Sequence, residues 1–160
     1  MLSAAAEEAR RLNHNYIGTE HLFIAATKND NGPTGSLLRR AGLNPRHVRN
    51  EIRREIGTGE GPLRDVLPLT PRTEMVLSLA IFLAERDEED EIDEMHLLLA
   101  LLQEGEGVPV RKLIELGFNV NLWLQRLLTE AYEKELSSPP AANRHMFSFS
   151  EIDDDYASDD

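Results

Sequence analysis

The sequence contains no cysteine. That excludes a disulfide framework, a thiolate metal site and a cysteine nucleophile. It suits the cytoplasm or an equivalent reducing compartment. Long apolar runs are also missing: Leu79–Ala84 and Leu97–Leu102 are the longest, far short of the ~20 residues that span a membrane. No basic segment followed by an apolar one marks a secretory signal at the N-terminus. Positive charge is scarce, with 17 Lys and Arg against 29 Asp and Glu and a net charge of −12. A nucleic-acid binder needs a basic stripe to displace counterions, so neither nucleic acid nor membrane is an expected partner.

Catalytic signatures are absent as well. There is no G-x-x-x-x-G-K-[ST] phosphate loop, no G-x-S-x-G elbow and no H-E-x-x-H. Gly57–Gly61 is glycine-rich, but its spacing is wrong and Pro62 follows where helical amides should meet a phosphate. The acidic run 85–94 lacks the alternating ligands and glycine of a calcium loop. Catalytic residues, cofactor and metal are therefore all expected to be none. A small hydrolase stays an alternative without a visible nucleophile–base pair.

What the chain does contain is a duplication. Residues 1–52 and 76–127 align without a gap at a constant offset of 75 residues, matching Leu2/Leu77, Ala5/Ala80, Ala9/Ala84, Ile17/Ile92, His21/His96, Gly32/Gly107, Leu38/Leu113, Gly42/Gly117 and Asn44/Asn119. About one position in four is identical, against roughly one in sixteen by composition. Apolar and glycine positions dominate, the positions that set packing and chain reversal. The fold expected is all-α, a tandem repeat of two pseudo-symmetric four-helix units.

Each copy reads as four short helices. In the first copy they cover about 2–12, a segment after Thr19 as N-cap, 34–41 ending at Gly42, and a segment after Pro45 to about Ile56. In the second, Thr70 caps and Pro71 occupies the first helical position; the later helices cover about 94–103 and 120–136. This sets repeat 1 at 1–56, a linker at 57–69 rich in glycine and proline, repeat 2 at 70–136, and an acidic, disordered tail at 137–160 carrying Phe147, Phe149 and Tyr156. The second copy has a capping segment ahead of its matching residues and the first begins abruptly at Met1. Either the first helix lacks its initial turn or the chain begins upstream.

Charge is uneven. Residues 85–94 sum to −7 and 137–160 to −5, which together account for the whole net charge. Glu88, Glu89, Asp90 and Glu91 form the centre of the first segment, read either as a solvated loop or as a surface for a basic partner. Arg39, Arg40, Arg46, Arg49, Arg53 and Arg54 read as a solvated helix face paired with Glu51 and Glu55. His21 and His96 read as repeated structural histidines near a helix N-terminus.

The phrase Glu8-Ala9-Arg10-Arg11-Leu12-Asn13-His14-Asn15-Tyr16-Ile17-Gly18-Thr19-Glu20-His21-Leu22, with Leu67–Arg72 and Glu104–Val108 leading to Leu113 and Gly117, resembles the double repeat of the Clp ATPase N-terminal domain (Clp R domain), ClpC type. The resemblance covers about 1–135. It implies a non-catalytic, monomeric protein-binding module of the Clp proteolysis system that recognises adaptor or substrate proteins for an AAA+ Clp unfoldase, either as a stand-alone accessory chain or as the N-terminal domain of a full-length ATP-dependent Clp ATPase subunit. In some relatives the glutamate of Ile-Gly-Thr-Glu-His receives a phosphorylated arginine. Carried over, that assigns Glu20, flanked by Thr19 and His21, in the first repeat. The second repeat reads Ile92-Asp93-Glu94-Met95-His96, where a thioether replaces the carboxylate and cannot pair with guanidinium.

Overall fold

The computed structural model describes residues 1–137. The tail expected from 137 onward, including Phe147, Phe149 and Tyr156, lies outside the described residues except for Ser137, which caps the last helix.

Among the described residues there are eight helices: α1 (Leu2–Arg11), α2 (Thr19–Thr27), α3 (Pro33–Arg40), α4 (Pro45–Ile56), α5 (Pro71–Arg86), α6 (Glu94–Glu104), α7 (Val108–Glu115) and α8 (Val120–Leu136). The two quartets follow one order, as the duplication requires. Prolines at the starts of α3, α4 and α5 sit where a missing N–H leaves nothing unpaired. Asn44 and Asn119, equivalent in the two copies, cap α4 and α8 by accepting backbone N–H bonds. One helix start differs from the sequence reading. Gly18, not Thr19, is the N-cap of α2, so Thr19 is the first helical residue.

The centre of the fold is α2 and α6. Leu22, Phe23 and Ile24 are buried, and so is every residue from His96 to Leu102. A helix apolar all round has to be covered on all sides. Here α1 and α4 cover α2, α5 and α8 cover α6, and the repeats cross-pack through α2 on α7 and α3 on α6.

The linker is held down rather than free. Asn13, in the left-handed region with φ 59°, donates its amide Nδ2 to the carbonyls of Gly59 and Gly61 at 3.1 Å. Asn15 donates to the Pro62 carbonyl at 3.0 Å and accepts from the Arg64 amide at 2.8 Å. The linker's end then pairs with the segment before α2 in a single parallel bridge, Ile17 with Leu69. Thr73 donates its hydroxyl to the Ile17 carbonyl at 3.0 Å. These bonds bring the N-terminus of α5 beside the N-terminus of α2.

Glu8 is a buried charge that the sequence pattern did not single out. It lies fully inside α1's packed face, where Arg53 of α4 grips both its oxygens at 3.0 Å and Lys28 adds a bond at 2.8 Å. Burial by itself would raise its pKa, but the hydrogen bonds from Arg53 and Lys28 outweigh that and hold it at about 2. The second repeat places Leu83, Gln103 and Leu128 at these three positions. The arginine cluster is thus not simply a solvated face: Arg53 is spent on Glu8, Arg49 donates to the Thr27 carbonyl at 3.2 Å, Arg40 pairs with Glu130, and Glu55 meets Lys112 rather than an arginine. Arg54–Glu51 is the expected local pair.

Candidate protein-binding site between the repeats

The α2 N-terminus faces a cavity of about 610 Å³ lined by Thr19, Glu20, Thr70, Arg72, Gly105, Glu106, Val108 and Arg111. Repeat 1 supplies only Thr19 and Glu20; α5 with its N-cap Thr70, the α6–α7 turn and α7 supply the rest.

Glu20 is nearly buried at 9% exposure, and its carboxylate lies back over Gly18, where a side chain would collide with it. The Tyr16 hydroxyl stands 3.5 Å from Oε2; burial, with the negative charge of Glu20, pushes the Tyr16 pKa above 10. Thr19 packs against the N-cap of α7: a methyl group added to Gly107 would meet its Oγ1 at 2.7 Å. Two cations stand in the lining. Arg72 is committed to Glu104 and more loosely to Glu106. Arg111 is exposed and has no side-chain hydrogen bond or ion pair among the described residues. The cavity therefore holds the carboxylates of Glu20 and Glu106, the guanidinium of Arg111, which has no partner among the described residues, and the start of α7, where Pro109 lacks an N–H. It can receive a ligand carrying a cation and an anion a few ångströms apart.

His21 does not line the cavity. It is fully buried and sets the turn below it: Nδ1 accepts from the Gly18 amide at 2.9 Å, and Nε2 meets His14 Nδ1 at 2.8 Å. Burial, then the neighbouring His14, lowers its pKa from 6.5 to about 4. His96 repeats the arrangement with Asp93 in place of Gly18 and Asp87 in place of His14, at 3.0 Å each. Each histidine accepts the N-cap amide of its own helix through Nδ1.

The acidic run divides. Asp87 holds His96, Asp93 caps α6, and Glu94 reaches α3. Glu89, Asp90 and Glu91 are exposed, and Glu88 is half-buried with φ 64°. The hollow beside them has room for about one water, near 30 Å³. The four residues thus form a surface and not a pocket.

The Clp repeat (R) N-terminal domain family model matches residues 1–115 and again 68–148. The chain belongs to the Clp repeat N-terminal domain family. It is 39% identical over 121 residues to the chloroplastic chaperone protein ClpC1 of Oryza sativa subsp. japonica, covering 76% of this chain and 13% of that protein. It is 37% identical over 136 residues to the chloroplastic ATP-dependent Clp protease ATP-binding subunit ClpA homolog CD4B of Solanum lycopersicum, covering 83% and 15%. The chain thus spans about a seventh of the length of these relatives. Its fold is that of solved Clp N-terminal domains. The ClpD N-terminal domain of Arabidopsis thaliana matches with TM-score 0.63 and 22% identity over 81% of this chain and 91% of that one. The Hsp104 N-terminal domain of Candida albicans matches with TM-score 0.68 and 18% identity over 79% and 83%.

The Clp domain reading missed Arg72, Arg111 and Glu94. Arg111 carries no local signal and Arg72 only its place at the end of the Leu67–Arg72 motif, since only the meeting of α5 and α7 with α2 brings them to Glu20. Glu94 had one: it replaces Thr19 at the 75-residue offset.

Proposed function

We propose that this chain is a non-catalytic protein-binding module of the Clp system, taking adaptor or substrate proteins to an AAA+ Clp unfoldase, and that the Glu20 cavity receives a phosphorylated arginine side chain. The observation that carries the reading is the pairing of a near-buried carboxylate with an uncommitted cation in one cavity. Glu20 would take the guanidinium bidentately, and Arg111 with the α7 N-terminus would take the phosphate. Thr19 and Thr70 also line the cavity.

The second reading is the N-terminal domain of a full-length Clp ATPase subunit, and it rests on the relatives, which are longer Clp chaperones and ATP-binding subunits. Binding at the cavity is the same in either case. We further propose that the chain acts as a monomer in the cytoplasm or an equivalent reducing compartment, and that Glu88, Glu89, Asp90 and Glu91 face a basic protein surface.

Calorimetric titration with a phosphoarginine peptide tests the cavity. Binding should occur once per chain, and Glu20→Ala should abolish it, leaving a guanidinium unpaired at a cost of about 1.5–3 kcal/mol. Arg111→Gln should weaken the phosphorylated peptide while leaving an unmodified arginine peptide unchanged. Binding indifferent to both substitutions would overturn the assignment. Titration with Mg-ATP should be flat.

A further inference from the structure

The two repeats present equivalent helix starts to one another. Gly107, the N-cap of α7, lies against Thr19, the first residue of α2; Gly32, the N-cap of α3, lies against Glu94, the first residue of α6. The pairs are related by the 75-residue offset. What they do differs. Thr19 is short and neutral, and the α7 start beyond it opens onto the cavity of about 610 Å³. Glu94 reaches further and carries charge. Its Oε2 accepts the Thr34 amide at 3.0 Å, its Oε1 accepts from Asn29 Nδ2 at 2.8 Å, and a methyl group added to Gly32 would meet both oxygens at 2.6 Å.

We infer that Glu94 is a built-in plug: reaching across from the second repeat, its carboxylate occupies the anion seat at the α3 start, whose counterpart at α7 has Pro109 in place of Thr34 and no N–H at that position. The inference rests on reading the first-repeat cavity as the phosphoarginine site. A carboxylate at the first turn of a helix meets unpaired amides and the positive end of the dipole, as a phosphate would. The fit is incomplete in a telling way. The Thr34 hydroxyl is buried and makes no hydrogen bond among the described residues. Asn29 and the Thr34 amide each bond one oxygen of the carboxylate, and neither oxygen reaches the Thr34 hydroxyl; the further oxygens of a tetrahedral anion lie out of the carboxylate plane and offer that hydroxyl an acceptor. The second repeat is therefore closed twice, by Met95 against the guanidinium and by Glu94 against the phosphate.

The test is amide NMR on the full chain with four proteins: unaltered, E94T, M95E and E94T/M95E. Inorganic phosphate should move the Thr34 and Gly35 amides in E94T and leave them at least tenfold less affected in the unaltered chain. Phosphoarginine should act on Thr34 in E94T/M95E but not in M95E, which has the carboxylate for guanidinium with the plug still in place. The inference is overturned if M95E alone binds at Thr34, or if both E94T proteins show folded spectra and Thr34 stays still with phosphate. Should E94T not fold, E94Q keeps the size and the acceptor while removing the charge, and phosphate must then compete at Thr34. If phosphoarginine fails at the first repeat in all four proteins, the cavity assignment falls, while the phosphate titration at Thr34 still decides the plug.

Discussion

His21 donates its Nε2–H to Nδ1 of His14 across 2.8 Å, and the direction is fixed because the Gly18 amide already occupies Nδ1 of His21. The two rings lock together under the turn that carries Glu20. A proton on His21 has nowhere to sit without breaking the bond from Gly18.

This gives a pH dependence. The folded-state pKa of His21 is lowered from 6.5 to about 4, so the unfolded chain binds a proton first as pH falls. The neutral ring's contribution is fully present above pH 6.5 and is lost progressively down to about pH 4, amounting to about 3 kcal/mol. Urea unfolding at pH 7 and pH 4.5 should show it, and H21Q, which cannot titrate, should lack that part of the slope. Equal slopes in both proteins would show that His21 is not held neutral.

Glu8 acts in a lower window. Its pKa is held at about 2 against an ordinary 4.5, so its contribution is present above pH 4.5 and disappears as pH falls toward 2. The second repeat offers a sharper experiment, because it solves the same packing problem with Leu83, Gln103 and Leu128. E8L alone strands Arg53 and Lys28 and should destabilise by about 3 kcal/mol. The triple variant E8L/K28Q/R53L should recover most of that loss, since a matched apolar set commonly equals a buried ion pair. Thermal melts of the two variants check it; a triple variant as unstable as E8L would mean the sites are not equivalent in shape.

Gly18 should matter to binding and not to folding. Its φ of −102° suits any residue, and the second repeat has Asp93 there. A methyl group would nonetheless strike the Glu20 carboxylate. G18A is expected to lower phosphoarginine-peptide affinity at least tenfold, about 1.4 kcal/mol, with an unchanged unfolding midpoint. Undiminished affinity would show that the carboxylate's position over Gly18 is irrelevant.

The acids at 88–91 should act on rate. E88Q/E89Q/D90N/E91Q leaves Asp87, Asp93 and Glu94 in their structural roles. It should slow association with a basic Clp partner at low salt, and the difference should vanish as the screening length shrinks to about 8 Å at physiological ionic strength. Stopped-flow association at two salt concentrations measures it. Identical rates for both proteins at low salt would leave these residues with no role in recognition.

The repeat pattern determined the architecture because it is written in local physics. Proline and asparagine at helix starts, glycine after helix ends and apolar residues at helical spacing act within a few residues of themselves. Equal offsets force two similar units. The Glu20 motif and the loss of its carboxylate at Met95 were legible for the same reason, since both are contiguous. Glu8 was half legible: Ala5, Glu8 and Ala9 share one face, and Leu83 stands at the equivalent place. Only the tertiary structure decided which charges meet. Arg53 finds Glu8 across 45 residues and Glu94 finds the Thr34 amide across 60. Arg111 reaches the Glu20 cavity only because α2 packs on α7. A charge's partner depends on where chains cross, and crossing is set by the burial of α2 and α6 as a whole, not by any short stretch of sequence.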